Sequence, residues 1–269
     1  MSNTLVVDLS GQQATSGCDA AVLGFRSIIP TSTITGAAED PAYPFVNAID
    51  FRDNTKYSPL ASSGTVQIVF TQSLTESVDY FSFAIHNSEE SGLTGQLEVD
   101  SGSGYVIVAE FASIKTNRPF LKRFDEGVLQ SVRQRLTLNF TSKLFIGSIN
   151  IGESIVFNRG PSIGFLPGRT SPNDKVEQFT TEGNNFIVGR RLNRGFNSKG
   201  TFRFRPIEDT DDWYEEYMNH VLDSKTLYFK WNKSKDETIY GLQNPTTLTK
   251  PTYATSFTYD FKIDINGYA

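Results

Sequence analysis

Short runs in which apolar and polar residues alternate, separated by turn-forming segments, set the first limit on this chain. In Arg133-Gln-Arg-Leu-Thr-Leu-Asn-Phe140, Leu136, Leu138 and Phe140 fall on one side and Arg133 and Arg135 on the other. A period of two places alternate side chains on opposite faces of a strand and gives a helix no apolar stripe. Val66–Phe70, Val78–Ile85, Gln96–Val99, Tyr105–Phe111, Leu144–Ile151 and Ser154–Phe157 read as further strands, with Asp100-Ser-Gly-Ser-Gly104 as a hairpin connection. The 21 Phe and 11 Tyr among 269 residues suit pleated, half-buried surfaces. The expected class is all-β, mainly antiparallel, with a sandwich in the first half.

A stretch dense in proline and glycine, residues 158–174, interrupts the pattern and places a domain boundary near residue 160. The expected division is a β-sandwich over 1–160 and a second β module, sandwich or barrel, over 161–269. Val176–Phe179, Phe186–Val188, Thr201–Arg205, Leu227–Trp231 and Tyr253–Ile265 are its predicted strands. One helix is predicted at about 209–224. Asp209 or Thr210 can cap it, and Asp211, Asp212, Glu215 and Glu216 suit the positive end of its dipole. Trp213, Tyr217 and Val221 form one i, i+4 row and Tyr214, Met218 and Leu222 the next, a broad apolar face for covering a sheet.

Composition excludes several chemistries. A net charge of −5 argues against a general nucleic-acid binder. The single cysteine, Cys18, forms no intrachain disulfide and reads as an inert buried thiol. No signal peptide is expected from Met1-Ser-Asn-Thr-Leu-Val-Val-Asp8, and no window approaches the ~18 consecutive apolar residues of a membrane span. His86 and His220 lie in different halves, and Cys-x-x-Cys, His-Glu-x-x-His, Gly-x-Ser-x-Gly and phosphate-loop patterns are all lacking. No cofactor, no catalytic residue and no enzyme are expected.

Two segments carry interest beyond packing. In Asn47–Ser58 the oxygens of Asn47, Asp50, Asp53, Asn54 and Thr55 are dense enough to hold Ca²⁺ or a glycan, or to close a loop through side-chain to backbone bonds. Arg190, Arg191, Arg194, Lys199, Arg203 and Arg205 form a basic stretch in an acidic chain. Its readings are a solvated strand face, an inter-subunit surface in which guanidiniums meet a neighbour's carboxylates, or a lining for DNA passing through a ring.

Ala48-Ile-Asp50, with Phe51 and Tyr57 at later positions, resembles the acidic loop of galactose-binding-like sandwiches, although that family's pattern has glycine and tryptophan where Phe51 and Tyr57 stand. The likeness covers about 40–157 and implies a jelly-roll sandwich with a carbohydrate-binding ancestry. Residues 170–269 are similar to tail proteins of long-tailed bacteriophages. The segments carrying that likeness are Glu177–Arg190, Arg194-Gly-Phe196, Ser198, Trp213, Tyr228-Phe-Lys-Trp231 and Gly267-Tyr-Ala269. Lys230-Trp231-Asn-Lys233 departs from the family's Trp-Arg-Pro. The resemblance implies a distal-tail or baseplate subunit made in the host cytoplasm and built into the virion. It would form a homo-oligomeric ring, expected as a hexamer, that links tail tube to hub or fibre proteins. Arg190, Arg191, Arg194, Arg203, Arg205, Trp213 and Trp231 would be its assembly surface. The alternative function is a carbohydrate-binding receptor-recognition module working through the Asn47–Ser58 loop on a host glycan.

Overall fold

The computed structural model describes residues 20–50, 54–100, 102, 104–111, 116–124, 128–157, 175–180, 187–193, 196–204, 210–232, 237–248, 252–255 and 258–268; those within 175–212 and 252–260, and residue 268, are described by their backbone. After β1 (Val22–Gly24) the chain builds a sandwich. Its elements are β2 (Thr33–Thr35), β3 (Gly64–Val78), β4 (Tyr80–His86), a one-turn helix α1 (Ser88–Ser91), β5 (Thr94–Asp100), β6 (Tyr105–Phe111), β7 (Phe120–Arg123), β8 (Leu129–Phe140) and β9 (Ile146–Gly152). One sheet is five-stranded, in the order β2-β3-β8-β5-β6, and the other three-stranded, in the order β7-β4-β9. All neighbours are antiparallel. Alternation decides what lies between the sheets: Ile68, Phe70, Leu97, Leu136 and Leu138 from one meet Phe81, Phe83, Ile149 and Ile151 from the other. The partners of those residues in the alternation face outward. Arg135 there makes a two-point pair with Glu98 at 2.6 and 2.7 Å and lies over the Tyr105 ring.

The remainder is β10 (Ile155–Val156), β11 (Lys175–Thr180), β12 (Ile187–Asn193), β13 (Phe196–Phe204), α2 (Thr210–Leu222), β14 (Leu227–Lys230), β15 (Thr238–Gln243), β16 (Thr252–Thr255) and β17 (Thr258–Tyr268). A seven-stranded sheet runs β10-β1-β14-β15-β17-β13, with β16 also on β17. Its β1 and β10 come from the first 160 residues, so the expected cut near 160 does not follow the sheets. Among the described residues the chain contributes β1 to this sheet, leaves to build the sandwich, and returns to it in β10. The exit and return lie side by side, because the Ile28 N–H donates to the Ile151 carbonyl at 2.9 Å.

Both faces of the seven-stranded sheet are apolar around β1, β14 and β15. Leu23, Phe229 and Ile239 pack with Trp213, Tyr214, Tyr217 and Val221 of α2. Val22, Tyr228 and Tyr240 point the other way and meet Tyr80, Ala84 and Leu121 on the outer face of the three-stranded sheet. The layers therefore stack as five-stranded sheet, three-stranded sheet, seven-stranded sheet and helix. At the junction the Tyr80 hydroxyl donates to the Arg26 carbonyl at 2.6 Å. Asp79, fully buried, takes Arg123 Nε at 2.7 Å, the Ser154 N–H at 2.6 Å and the Ser154 hydroxyl at 2.9 Å. A buried carboxylate with this many donors is stable where an unpaired one would not be.

The predicted helix is present, and no described helix is long and apolar enough to cross a membrane. Leu222, expected on its apolar face, is 61% exposed while Val221 in the same turn is 4% exposed, so the buried face is centred on the Trp213, Tyr217 and Val221 row. Trp213 is 2% exposed, edge-on to Phe157 and Phe261, and so belongs to the core rather than to an assembly surface. Cys18 lies outside the described residues.

At Gly24 the sheet and the sandwich approach closely, and a Cβ there would sit 2.7 Å from the Tyr80 ring. Gly24→Val should therefore destabilise the protein by on the order of 1–3 kcal/mol through overpacking. Urea unfolding of the two proteins, followed by tryptophan fluorescence, checks this.

Candidate functional site

Antiparallel pairing gathers one set of connections at the end of the sandwich away from α2. Their described residues are 36–50 and 54–63 before β3, 87–93 after β4, 116–119 before β7 and 141–145 before β9. The pairs Gly64 with Phe140, Thr94 with Asn139, Gly95 with Phe111 and His86 with Ile146 bring their stems together. Loops carried by a rigid sandwich are a common place for recognition.

The first connection is folded, not slack. Tyr57, fully buried, donates its hydroxyl to the Ala37 carbonyl at 2.5 Å and bridges Ile146 through its backbone. Burial pushes this phenol far above the ordinary tyrosine range. Asp40 accepts Lys143 Nζ at 3.0 Å and the Ala42 N–H at 3.1 Å, which holds its carboxyl below the usual range. Lys143 also donates to the Pro59 carbonyl at 2.8 Å. Between these, Tyr43 is 40% exposed and stands edge-on to Phe145 at 5.3 Å.

The other connections interlock with it. Asn87 donates to the Lys143 carbonyl at 2.8 Å and accepts the Phe145 N–H at 2.7 Å. Glu90 accepts Asn117 Nδ2 at 2.8 and 2.9 Å, which lowers its carboxyl pKa, while Asn117 Oδ1 accepts the Glu89 N–H at 3.0 Å. His86 is buried with both ring nitrogens engaged: Nε2 lies 2.7 Å from the Arg118 carbonyl and Nδ1 lies 2.6 Å from the Ser88 hydroxyl. The carbonyl accepts only, so Nε2 carries the proton and Nδ1 accepts from Ser88. Burial pushes the imidazole down to about 4, against a small upward pull from Glu90. It is a neutral strut at neutral pH.

The described residues of the Asn47–Ser58 segment, 47–50 and 54–58, lie at this end of the sandwich. Asn47 Nδ2 donates to the Lys56 carbonyl at 3.1 Å, and the Thr55 hydroxyl lies 3.0 Å from each Asp50 oxygen. Asn54 is exposed. These contacts close the loop on itself. Asp53 lies outside the described residues, and among the described residues no group of three or more His, Cys, Asp or Glu is placed to hold a metal ion. Tyr43, Glu90, Asn117 and Lys143 carry no motif that marks them. The one hint in the sequence is Asp40-Pro-Ala-Tyr-Pro44, where flanking prolines favour a turn that presents the tyrosine.

Among the arginines, Arg194 and Arg205 fall outside the described residues. Arg190 and Arg191 lie on β12 opposite Gln178 and Glu177 of β11, and Arg203 on β13 lies opposite Asp260. Trp231 is half-buried and donates Nε1–H to Glu237 at 3.0 Å. His220 is buried with Nε2 2.8 Å from the Thr226 carbonyl. At the junction end, Arg26 pairs with Glu216 at 2.7 Å and Glu153 at 3.6 Å, between cavities of about 430 and 350 Å³.

No protein-family model and no curated protein matches the sequence. Among solved structures, a segment covering 50% of this chain and 99% of the other matches the family 32 carbohydrate-binding module of C. perfringens NanJ in complex with galactose, at 12% identity and TM-score 0.40. A CBM32 of AlyQ in complex with 4,5-unsaturated mannuronic acid matches over 48% of this chain and 96% of its own, at 19% identity and TM-score 0.37. A putative alpha-L-fucosidase from Bacteroides thetaiotaomicron matches over 48% of this chain and 28% of its own, at 12% identity and TM-score 0.41.

His86 makes stability depend on pH. Its folded pKa is lowered, so the unfolded chain binds the proton first, and stability is complete above the ordinary histidine value and declines as pH falls toward about 4. At about 1.4 kcal/mol per unit, roughly 2 kcal/mol should be lost between pH 7 and 5. His86→Gln should flatten that decline, which denaturant midpoints at the two pH values measure.

Proposed function

We propose that the loop-bearing end of the sandwich is a carbohydrate-binding face and that the protein binds rather than transforms its ligand. The observation that carries this reading is Tyr43, an exposed ring braced by Phe145 beside the Asp40–Lys143 pair, with a second fixed polar pair, Glu90–Asn117, at the same end of the sandwich. A sugar ring offers C–H groups to an aromatic face and hydroxyls to carboxylates, amides and ammonium groups around it. Because these side chains already hold one another, ligand binding would order few of them, which keeps its entropic cost low.

A second reading is favoured by a different observation. Among the described residues β11 and β12 pair only with each other, and two strands alone are marginal in water. A hairpin carrying Arg190 and Arg191 suits a surface on another copy of the chain. The tail-tip ring, with tube, hub and fibre proteins as partners and the virion as location, is the assembly that the sequence resemblance suggests. The two readings are compatible, with the sandwich presented from the ring.

A glycan array probed with the full chain, with and without Ca²⁺, tests the first reading. Tyr43→Ala should weaken the best glycan by roughly tenfold. Capture of no glycan, or unchanged binding by Tyr43→Ala, would remove it. For the second, light scattering should give a defined oligomer for the wild type and a smaller species for Arg190→Glu/Arg191→Glu. A wild-type monomer would end that reading.

A further inference from the structure

The end of β4 has a backbone feature that simple strand pairing does not require. Ile85 has φ of 55°, in the left-handed region that a β-branched residue enters only when its surroundings force it. Those surroundings are tight: a Cβ on Gly147 of the neighbouring strand would lie 2.7 Å from Ile85 Cβ. In an undisturbed strand His86 and Asn87 would point to opposite faces. After the turn at Ile85, the two consecutive side chains grip different loops at the same end. His86 holds the Arg118 carbonyl and the Ser88 hydroxyl, while Asn87 holds both sides of Leu144 through the Lys143 carbonyl and the Phe145 N–H. Each loop then carries a group of the binding face. Asn117, beside Arg118, clamps Glu90, and Lys143 and Phe145 brace Asp40 and Tyr43.

We infer that Ile85, His86 and Asn87 form a strained pivot that positions the 116–118 and 142–145 segments, and with them the polar and aromatic groups of the glycan face. The glycan part of this rests on the reading above. His86 and Asn87 are positioning residues, acting through Glu90, Lys143 and Tyr43.

Two readouts on the full chain test it, the first needing no ligand. In amide hydrogen exchange, Asn87→Ala should speed exchange at Phe145 by about tenfold or more and leave Ser88 and Glu89 unchanged. His86→Gln should do the reverse, and neither should affect the seven-stranded sheet. Strain is read by comparing Ile85→Gly with Ile85→Ala. Both lose the same packing to within a methyl group, so glycine should have the higher unfolding midpoint, against the usual order in a strand. In titrations with the glycan found by the array, His86→Gln and Asn87→Ala should each weaken binding by about tenfold. Unchanged exchange at these amides, or an Ile85→Ala protein as stable as Ile85→Gly, overturns the pivot even if the wild type binds glycan. If the wild type binds no glycan, the glycan reading fails, and the exchange data still decide the pivot.

Discussion

A sheet that is apolar on both faces must be covered on both, and around β1, β14 and β15 the seven-stranded sheet is such a sheet. Tyr228 and Phe229 are neighbours in sequence, yet one packs on Tyr240 and the sandwich while the other packs under Trp213 and Tyr217 of the helix. Everything else is arranged around that requirement. The sandwich supplies an outer face made of Tyr80, Ala84 and Leu121, and Gly24 gives up its side chain so that the Tyr80 ring can lie against the strand. Burial pushes the Tyr228 and Tyr80 phenols well above the ordinary range, so they remain neutral packing groups with polar tips.

Polar groups at the two ends of the sandwich do different work. At the junction, the buried Asp79 collects Arg123 and Ser154, and Arg26 reaches Glu216 on the helix, so charge ties sandwich to module. At the far end, Asn87, Asn117, Lys143 and His86 tie loops to one another. The core between them is aromatic and tightly interleaved, with Phe81, Phe83, Phe111 and Phe120 in mutual contact. That rigidity is what allows short loop contacts to fix a face.

Strand content was legible in the sequence wherever alternation was clean. Leu136, Leu138 and Phe140 turn inward as their spacing predicts, and the helix stands within two residues of its predicted ends. β1, β2, β7 and β15 escape the sequence reading because Val22–Gly24, Thr33–Thr35 and Phe120–Arg123 are too short to show a period and Thr238–Gln243 mixes small and polar residues. That the seven-stranded sheet takes strands from both sides of residue 160 is not legible locally, for a physical reason. Val22, Leu23 and Ile155 pair with strands more than seventy positions away in sequence from at least one partner, and local patterns carry no trace of such pairing. The same limit applies to the candidate site. Asp50 and Thr55 are visible as a cluster of oxygens, whereas the pairs Glu90–Asn117, Asp40–Lys143 and Tyr43–Phe145 form only through the meeting of separate loops. Trp213 reads both as part of the apolar face that covers a sheet and, through the resemblance, as assembly surface, and its burial against Phe157 and Phe261 agrees with the first.

The adjacency of Ile28 and Ile151 reaches beyond stability. A domain whose two ends emerge side by side from neighbouring strands behaves as a cassette: it can be lengthened, replaced or grafted elsewhere without changing the path of the host sheet. The constraint falls on the small set of residues at the seam, among them Gly24, Tyr80 and Asp79, while the distant loops are released from it. Changes in the tip loops can therefore leave the pairing of the base sheet untouched.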